Sequence, residues 1–109
     1  MKRKAGDDSF VTFITEQLSS VDDLSVRPMF GAHGLYAGDT FFGIVCRGRL
    51  YLKTDAKTIA EYERRGMQPF RPNERQTIKS YYEVPADVLE DREQLSEWAS
   101  RAVRANAKS

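Results

Sequence analysis

Residues 34–53, GLYAGDTFFGIVCRGRLYLK, decide the fold. Three apolar runs are separated by two short polar segments, and each segment holds a glycine, Gly38 or Gly48, that can adopt the positive φ angle of a tight turn. In the last run, Leu50 and Leu52 alternate with more polar side chains, as in a strand with one buried face. The stretch therefore predicts an antiparallel meander with two unlike faces.

Helical patterns lie on both sides of this meander. The first helix is predicted to begin at Asp8 or Ser9, because either side chain can accept from the free amides of a first turn. A second helix is predicted after the meander, with Thr54 or Asp55 as its cap. Gly66 is expected to end it, since glycine adopts the left-handed conformation that often closes a helix.

The last helix has the clearest pattern of the three. Asp91 and Gln94 resemble a capping box, and apolar residues then recur at the spacing of one buried stripe. Two further extended runs precede this helix, and the second of them is halted by Pro85. Upstream of the meander, Pro28 removes an amide donor, so its segment is predicted as an edge strand or strand entry with a bend at residues 31–34.

These elements follow the order α-β-β-β-α-β-β-α. An antiparallel sheet of about five strands, with helices packed on one face and the other face partly open, makes an α+β fold. The 109 residues, 40% of them apolar, fit one domain over residues 1–109. Its ends, residues 1–7 and 105–109, are expected to be flexible.

Composition narrows the classes of function. The formal net charge of +1 argues against a general nucleic-acid coat and against a polybasic membrane tether. No apolar stretch approaches the roughly 20 residues that a membrane helix requires, and the first residues lack the apolar core of a secretory signal. The lone Cys46 cannot form an intramolecular disulfide, which fits a reducing compartment. We therefore expect a cytoplasmic protein.

A family resemblance rests on residues spread in order over most of the chain. They are Arg27, Met29, Phe30, Gly31, Gly34, Leu35 and Tyr36, then residues 50–53, Met67, Pro69 and Phe70, residues 80–85, and finally Leu89, Asp91, Leu95 and Trp98. By these residues the chain resembles the N-terminal domain of the TfoX family, also called Sxy, which regulates competence genes in bacteria. Pro28 and Ala32 depart from the usual signature of that family.

The resemblance implies a non-enzymatic regulatory or adaptor module without a cofactor. Such a module would act through protein-protein contacts, with the transcription machinery as one class of partner. The full regulators of the family also carry a second, C-terminal domain, and the present chain is expected to correspond to the first domain alone.

The partner-binding surface is expected on the open sheet face and the bend, because exposed aromatic side chains beside Arg or Lys have the composition of interaction hot spots. Consecutive Tyr81 and Tyr82 must point to opposite sides of a strand, so one of them is expected in the core. Arg27 can instead pair with an acid such as Glu83. An uncovered sheet edge would also allow a weak homodimer. The candidate residues are Arg27, Phe30, His33, Tyr36, Tyr51, Lys53 and Tyr81.

Direct nucleic-acid binding is the alternative hypothesis. Residues 64–79 include five basic residues and only one acidic residue, Glu74. This local excess of positive charge suits an anionic partner, although a solvated surface matched to a helix dipole also explains it. The residues of this basic segment are Arg64, Arg65, Arg71, Arg75 and Lys79.

An enzymatic function has little support from the sequence. Cys46 could act as a nucleophile and His33 as a proton carrier, but neither has an evident partner residue at catalytic spacing. A single histidine without a cysteine pair or acidic pair beside it also argues against a metal site. We therefore expect no catalytic, metal-binding or cofactor-binding residues, and we interpret Cys46 as a small buried residue of a strand.

Overall fold

The computed structural model describes the backbone of residues 5–29 and 31–107. Side chains are described from residue 9 to residue 106 apart from residue 30, so the candidate Phe30 lies outside the described residues. Residues 1–4 and 108–109, part of the ends expected to be flexible, lie outside them as well. The elements in chain order are α1 (Ala5–Gln17), β1 (Leu24–Met29), β2 (Ala32–Ala37), β3 (Thr40–Cys46), β4 (Arg49–Lys53), α2 (Ile59–Arg64), β5 (Pro69–Asn73), β6 (Gln76–Glu83), α3 (Ala86–Leu89) and α4 (Arg92–Ala107).

The six described strands form one antiparallel sheet in the order β1-β2-β3-β4-β6-β5. The predicted α+β class is confirmed, but the sheet has six strands rather than about five. The additional strand arises because β1 and β2 form a complete hairpin, with Gly31 at a φ of 79° between them. The predicted bend is therefore shorter than residues 31–34, since β2 already begins at Ala32. Pro28 lies on the edge strand β1, as predicted.

The predicted start is wrong for the first helix and confirmed for the last helix. Helix α1 begins at Ala5, so the predicted caps Asp8 and Ser9 lie inside it. The predicted start of α4 is confirmed, because the Asp91 carboxylate accepts a hydrogen bond from the backbone N–H of Gln94 at 3.1 Å. The short α3 before it was not predicted. Within the described part of the chain, no helix is both long enough and apolar enough to cross a bilayer.

Helix α2 begins later than predicted. It starts at Ile59, so neither Thr54 nor Asp55 is its cap. The Asp55 carboxylate instead accepts from the backbone amides of Lys57 and Thr58, at 3.0 and 2.9 Å, and these bonds fold the loop that leads into the helix. The sequence signal at Asp55 was therefore a turn signal rather than a helix start.

The main core lies between the sheet and the helices. It joins Leu52 of the sheet to Trp98 of α4 in one cluster, and Phe10 of α1 packs against the same cluster. The predicted pair Tyr81 and Tyr82 divides as expected, since Tyr82 belongs to this core and Tyr81 does not. The fully buried side chains of the core include Ile14, Leu18, Leu35, Phe42, Leu50, Leu52, Val88 and Leu95.

A β-bulge in β3 determines which of its side chains reach the core. The pairing of β2 with β3 shifts between Leu35 and Tyr36, which leaves one extra residue on β3. As a result Phe42 is fully buried in the main core, whereas Phe41 packs on the opposite side of the sheet. The backbone carbonyl of Phe41 accepts a hydrogen bond from the side-chain amide of Asn106 in α4. The helix thus satisfies a backbone group at the point where the ladder is irregular.

The side of the sheet opposite the helices has its own small apolar cluster. Ile44, Phe70 and Tyr81 are each less than a tenth exposed, and no residue of a described helix belongs to their cluster. Phe70 lies on β5, whose pairing with β6 is irregular, and its ring centroid is 4.8 Å from that of Tyr51. This side is therefore free of helices but closed at its centre by its own side chains. We call it the second face, and its residues include Arg27, Ala32, Gly34, Tyr36, Phe41, Ile44, Cys46, Tyr51, Lys53, Phe70, Ile78 and Tyr81.

Candidate partner-binding face

The second face holds five of the six candidate residues that the structure describes. Side chains directly opposite one another in a ladder share a side of the sheet. The register places Arg27 opposite Gly34 on β2, and Ile44 of β3 lies between Gly34 and Tyr51. Lys53 likewise lies opposite Tyr81. The candidates found together on this face are Arg27, Tyr36, Tyr51, Lys53 and Tyr81.

Five of the strands, β1, β2, β3, β4 and β6, contribute to a continuous row of cations and aromatic rings. The Arg27 guanidinium lies 4.3 Å from the ring centroid of Tyr36, whose ring is 5.2 Å from that of Phe41. Phe41 is in turn 5.5 Å from Tyr81, and the Lys53 ammonium lies 5.6 Å from the Tyr81 ring. Each distance is within the range of a cation–π or aromatic pair. We call this arrangement the aromatic row, and it has one cation at each end.

Phe41 occupies the middle of the aromatic row, although sequence analysis did not identify it. Its position depends on the bulge, because the bulge brings Phe41 opposite Tyr36 in the ladder. A bulge leaves no reliable mark on the apolar pattern of a short strand such as β3. The one available signal was the presence of another aromatic residue within the meander.

Gly34 allows the aromatic row to pack closely. A Cβ atom at this position would lie 2.8 Å from the Met29 sulfur and 3.0 Å from the Phe41 ring. The first distance is shorter than real Cβ contacts, and the second is tight enough that the Phe41 ring would have to move by a few tenths of an ångström. Close packing, rather than an unusual φ angle, therefore favours glycine here.

Two tyrosines of the second face, Tyr51 and Tyr81, have pKa values above the usual range. Burial, with a smaller effect of Tyr36, raises the pKa of Tyr81 to about 12. Burial is also the main reason that the pKa of Tyr51 is raised. Tyr81 is only 7% exposed, so it supports the neighbouring Phe41 and Lys53 more than it offers a surface of its own.

Arg27 does not pair with Glu83, contrary to the alternative considered from the sequence. Glu83 is occupied by Arg49, whose Nη1 atom donates to both carboxylate oxygens at 2.9 and 3.1 Å. These two residues lie on adjacent strands β4 and β6. Arg27 is left exposed at the edge of the sheet, where its contact is the ring of Tyr36.

His33 lies away from the other described candidates. It pairs in the ladder with Val45, a residue of the main core, so its side chain is on the helix side of the sheet. Cys46 follows Val45 and is half-buried against the cluster of the second face. The two residues considered for catalysis are thus on opposite sides of the sheet. In the described part of the chain, the His33 side chain has no hydrogen bond or ion pair, and no three metal-binding side chains are grouped.

The basic segment of residues 64–79 is divided between two elements. Arg64 and Arg65 lie at the end of α2, whereas the other three residues belong to the β5-β6 hairpin. Arg65 already has internal partners, because its guanidinium lies 3.1 Å from Asp87 and 5.4 Å from the ring centroid of Trp98. Its charge therefore helps to hold α2 against the last two helices.

The hairpin residues of this segment are more exposed. Arg71 donates to the backbone carbonyl of Glu74 at 3.0 Å, within the turn that joins β5 to β6. Among the described residues, the side chains of Arg75 and Lys79 have no ion pair or hydrogen bond. Two of the five basic side chains, Arg65 and Arg71, therefore make internal contacts. The five do not lie together at one site.

Comparison with known proteins agrees with the resemblance drawn from the sequence. The family described as the TfoX N-terminal domain matches residues 16–106, a range that includes all six strands. The chain is also similar to the DNA transformation protein TfoX1 of Aliivibrio fischeri (strain ATCC 700601 / ES114), with 35% identity over 60 residues. That alignment covers 53% of this chain but only 29% of the relative. The chain belongs to the TfoX N-terminal domain family.

Proposed function

We propose that this chain is a non-enzymatic regulatory module that binds a protein partner through the second face. Membership of the TfoX N-terminal domain family supports a role related to competence regulation. The named relative is a DNA transformation protein, and we propose that this chain acts in the same process in the cytoplasm. A component of the transcription machinery is the partner class that fits such a role.

The aromatic row is the observation that carries this proposal. Its rings hold one another in place, and Arg27 and Lys53 cap the two ends. A surface that is already ordered loses little side-chain entropy when a partner binds. Aromatic side chains beside arginine are also the residues that most often dominate the binding energy of protein interfaces.

The same geometry favours a protein partner over a nucleic acid on this face. Base stacking needs open ring faces among basic side chains. Arg27 covers a face of Tyr36, and Lys53 lies over the ring of Tyr81, which is itself buried. The cations Arg27 and Lys53 at the two ends of the aromatic row suit an acidic segment with an apolar anchor.

Site-specific photo-crosslinking tests the proposal. A photoreactive phenylalanine at position 36 or 51 should capture the same protein in the native bacterium, because both positions lie on the second face. The matched control is the same residue at position 75, in the turn of the β5-β6 hairpin. Capture of one protein at positions 36 and 51 but not at 75 is the expected result. Equal capture at all three positions would contradict the proposed surface.

Binding measured with the captured protein completes the test. Tyr36→Ala and Arg27→Ala should each weaken its Kd at least tenfold, since they remove one end of the aromatic row. Arg75→Ala should leave the Kd unchanged. Transformation frequency of the native bacterium should fall with Tyr36→Ala and not with Arg75→Ala. Normal transformation with a lost interaction would separate the binding function from the proposed process.

A weak homodimer through a sheet edge stays a prediction. The two edges are β1 and β5, and each contains proline, at positions 28, 69 and 72. Proline cannot donate to a ladder, so strand addition at either edge would be incomplete. Sedimentation velocity over a concentration series would detect such an association.

A further inference from the structure

A concave region lies between the loop before α2 and α4. It encloses about 560 Å³, and none of its described lining residues belongs to the second face. Its size is within the range of small-molecule sites in proteins. The lining residues are Asp55, Ala56, Lys57, Thr58, Arg101 and Arg104. We propose that this pocket binds a small molecule that carries a phosphate group.

The charges around the pocket support an anionic ligand. Three basic side chains and one carboxylate line it. Among the described residues, the side chains of Lys57 and Arg104 have neither a hydrogen bond nor an ion pair. Two cations that line the same concavity, and whose side chains have no partner among the described residues, would attract an anion.

The third cation is already fixed in position. Arg101 lies 2.9 Å from Glu97, one turn earlier on α4, and 3.8 Å from Glu61 of α2. These carboxylates hold its guanidinium at the junction of the two helices, where it lines the pocket. A ligand would therefore find one ordered donor and two cations still available.

The opposite wall of the pocket is ordered by its own hydrogen bonds. The Thr58 hydroxyl accepts from the backbone amide of Asp55 at 3.0 Å. One Asp55 carboxylate oxygen accepts from the backbone amides of Lys57 and Thr58 and from the Thr58 hydroxyl. This oxygen is thus turned towards the loop backbone. Because the loop is preformed, binding would cost little loop entropy.

Phosphate is the group that best fits this arrangement. Lysine acts as a mobile point charge and arginine as a planar fork, and a phosphate accepts from both at once. A bare phosphate would occupy only a part of about 560 Å³, so the ligand is expected to carry an organic group as well. The alkyl stems of Lys57, Arg101 and Arg104 and the methyl groups of the loop could contact that group.

Titration with glucose 6-phosphate and with inorganic pyrophosphate tests the proposal. Trp98, the one tryptophan of the chain, lines an adjoining depression together with Thr58 and Arg101, so its fluorescence can report binding. We expect saturable binding of both probes at constant ionic strength, confirmed by calorimetry, and no binding of glucose. Lys57→Ala and Arg104→Ala should each weaken binding about five- to tenfold.

Arg75→Ala is the matched control, since it removes an exposed cation that does not line the pocket. It should leave probe binding unchanged. No saturable binding, or equal losses from Arg75→Ala and Arg104→Ala, would overturn the proposal. A single-stranded oligonucleotide that displaces pyrophosphate and loses affinity with Arg104→Ala would also overturn it, by assigning the pocket to nucleic-acid phosphates. Each result is independent of whether the second face binds a protein.

Discussion

At Gly34 an added methyl group would lie 2.8 Å from the Met29 sulfur and 3.0 Å from the Phe41 ring. The Met29 side chain is flexible and can move, whereas the Phe41 ring is held between Tyr36 and Tyr81. We therefore expect Gly34→Ala to lower the free energy of unfolding by roughly 1–3 kcal/mol, as overpacking commonly does. Urea unfolding would measure this loss.

A double-mutant cycle distinguishes a collision from a general effect of the strand. In a Met29→Ala background the closest contact is gone, so Gly34→Ala should cost less than it does in the unmodified chain. Equal costs in the two backgrounds would contradict the packing explanation.

Tyr81 makes the stability of the folded chain depend on pH in the alkaline range. Its pKa is raised from 10.0 in an exposed tyrosine to about 12 in the folded chain, because burial disfavours the phenolate. As the pH rises, the unfolded chain therefore loses the Tyr81 proton at a lower pH than the folded chain does. Ionisation of Tyr81 leaves the free energy of unfolding unchanged below pH 10 and lowers it between about pH 10 and 12. The loss should approach about 2 kcal/mol.

Comparison with Tyr81→Phe isolates this contribution. Urea unfolding of the two proteins at pH 8 and at pH 11.5 should show a smaller fall for the phenylalanine variant, which has no proton to lose. Stability curves that fall in parallel would rule out Tyr81 as the cause.

At the scale of elements, the contact between α4 and the bulge of β3 couples the last helix to the second face. The Asn106 side chain donates to the Phe41 carbonyl, and Phe41 is the centre of the aromatic row. Removal of that donor by Asn106→Ala leaves a partly buried carbonyl without its partner. We expect a loss of about 1–2 kcal/mol in the free energy of unfolding.

Arg104→Ala serves as the control for that measurement, since Arg104 is exposed on the same helix. Its cost should stay within about 0.5 kcal/mol. If Asn106→Ala also weakened binding of the partner captured through position 36, this would indicate that the contact at the bulge helps to order the aromatic row. A cost for Asn106→Ala no greater than that of Arg104→Ala would mean that the hydrogen bond contributes nothing measurable.

The β5-β6 hairpin decides between the protein and nucleic-acid hypotheses. A phosphate-binding hairpin would give oligonucleotide affinity that falls steeply with salt and with Arg71→Ala or Arg75→Ala. We expect neither effect, because Arg71 is bound to the turn and Arg65 to its neighbouring helices. Fluorescence anisotropy at 50 and 200 mM salt would check this, and a steep salt dependence lost with Arg75→Ala would favour the alternative.

At the scale of the whole molecule, stability and recognition lie on different sides of one sheet. The main core fills the helix side with fully buried side chains, whereas the second face has only a small buried centre. Substitution of an exposed residue such as Arg27 should therefore impair partner binding with almost no loss of stability. None of the described residues that line the proposed phosphate pocket belongs to the second face, so a ligand and a partner would use different residues.

The sequence by itself determined the α+β class, the meander, the capped start of α4 and the division of Tyr81 from Tyr82. These features follow from periodicity and local capping, which depend on residues close together in the chain. Family membership also followed from the sequence, because its matching residues lie in order along the chain.

Only the tertiary structure decided the bulge that turns Phe41 to the second face, the placement of His33 on the helix side, and the pairing of Glu83 with Arg49 instead of Arg27. Each of these depends on cross-strand register, and a shift of one residue in register changes which side chains meet. The pocket beside Arg104 likewise requires a loop and a helix that are distant in sequence. Local pattern determines the elements, whereas contacts between distant segments determine which side chains form a site.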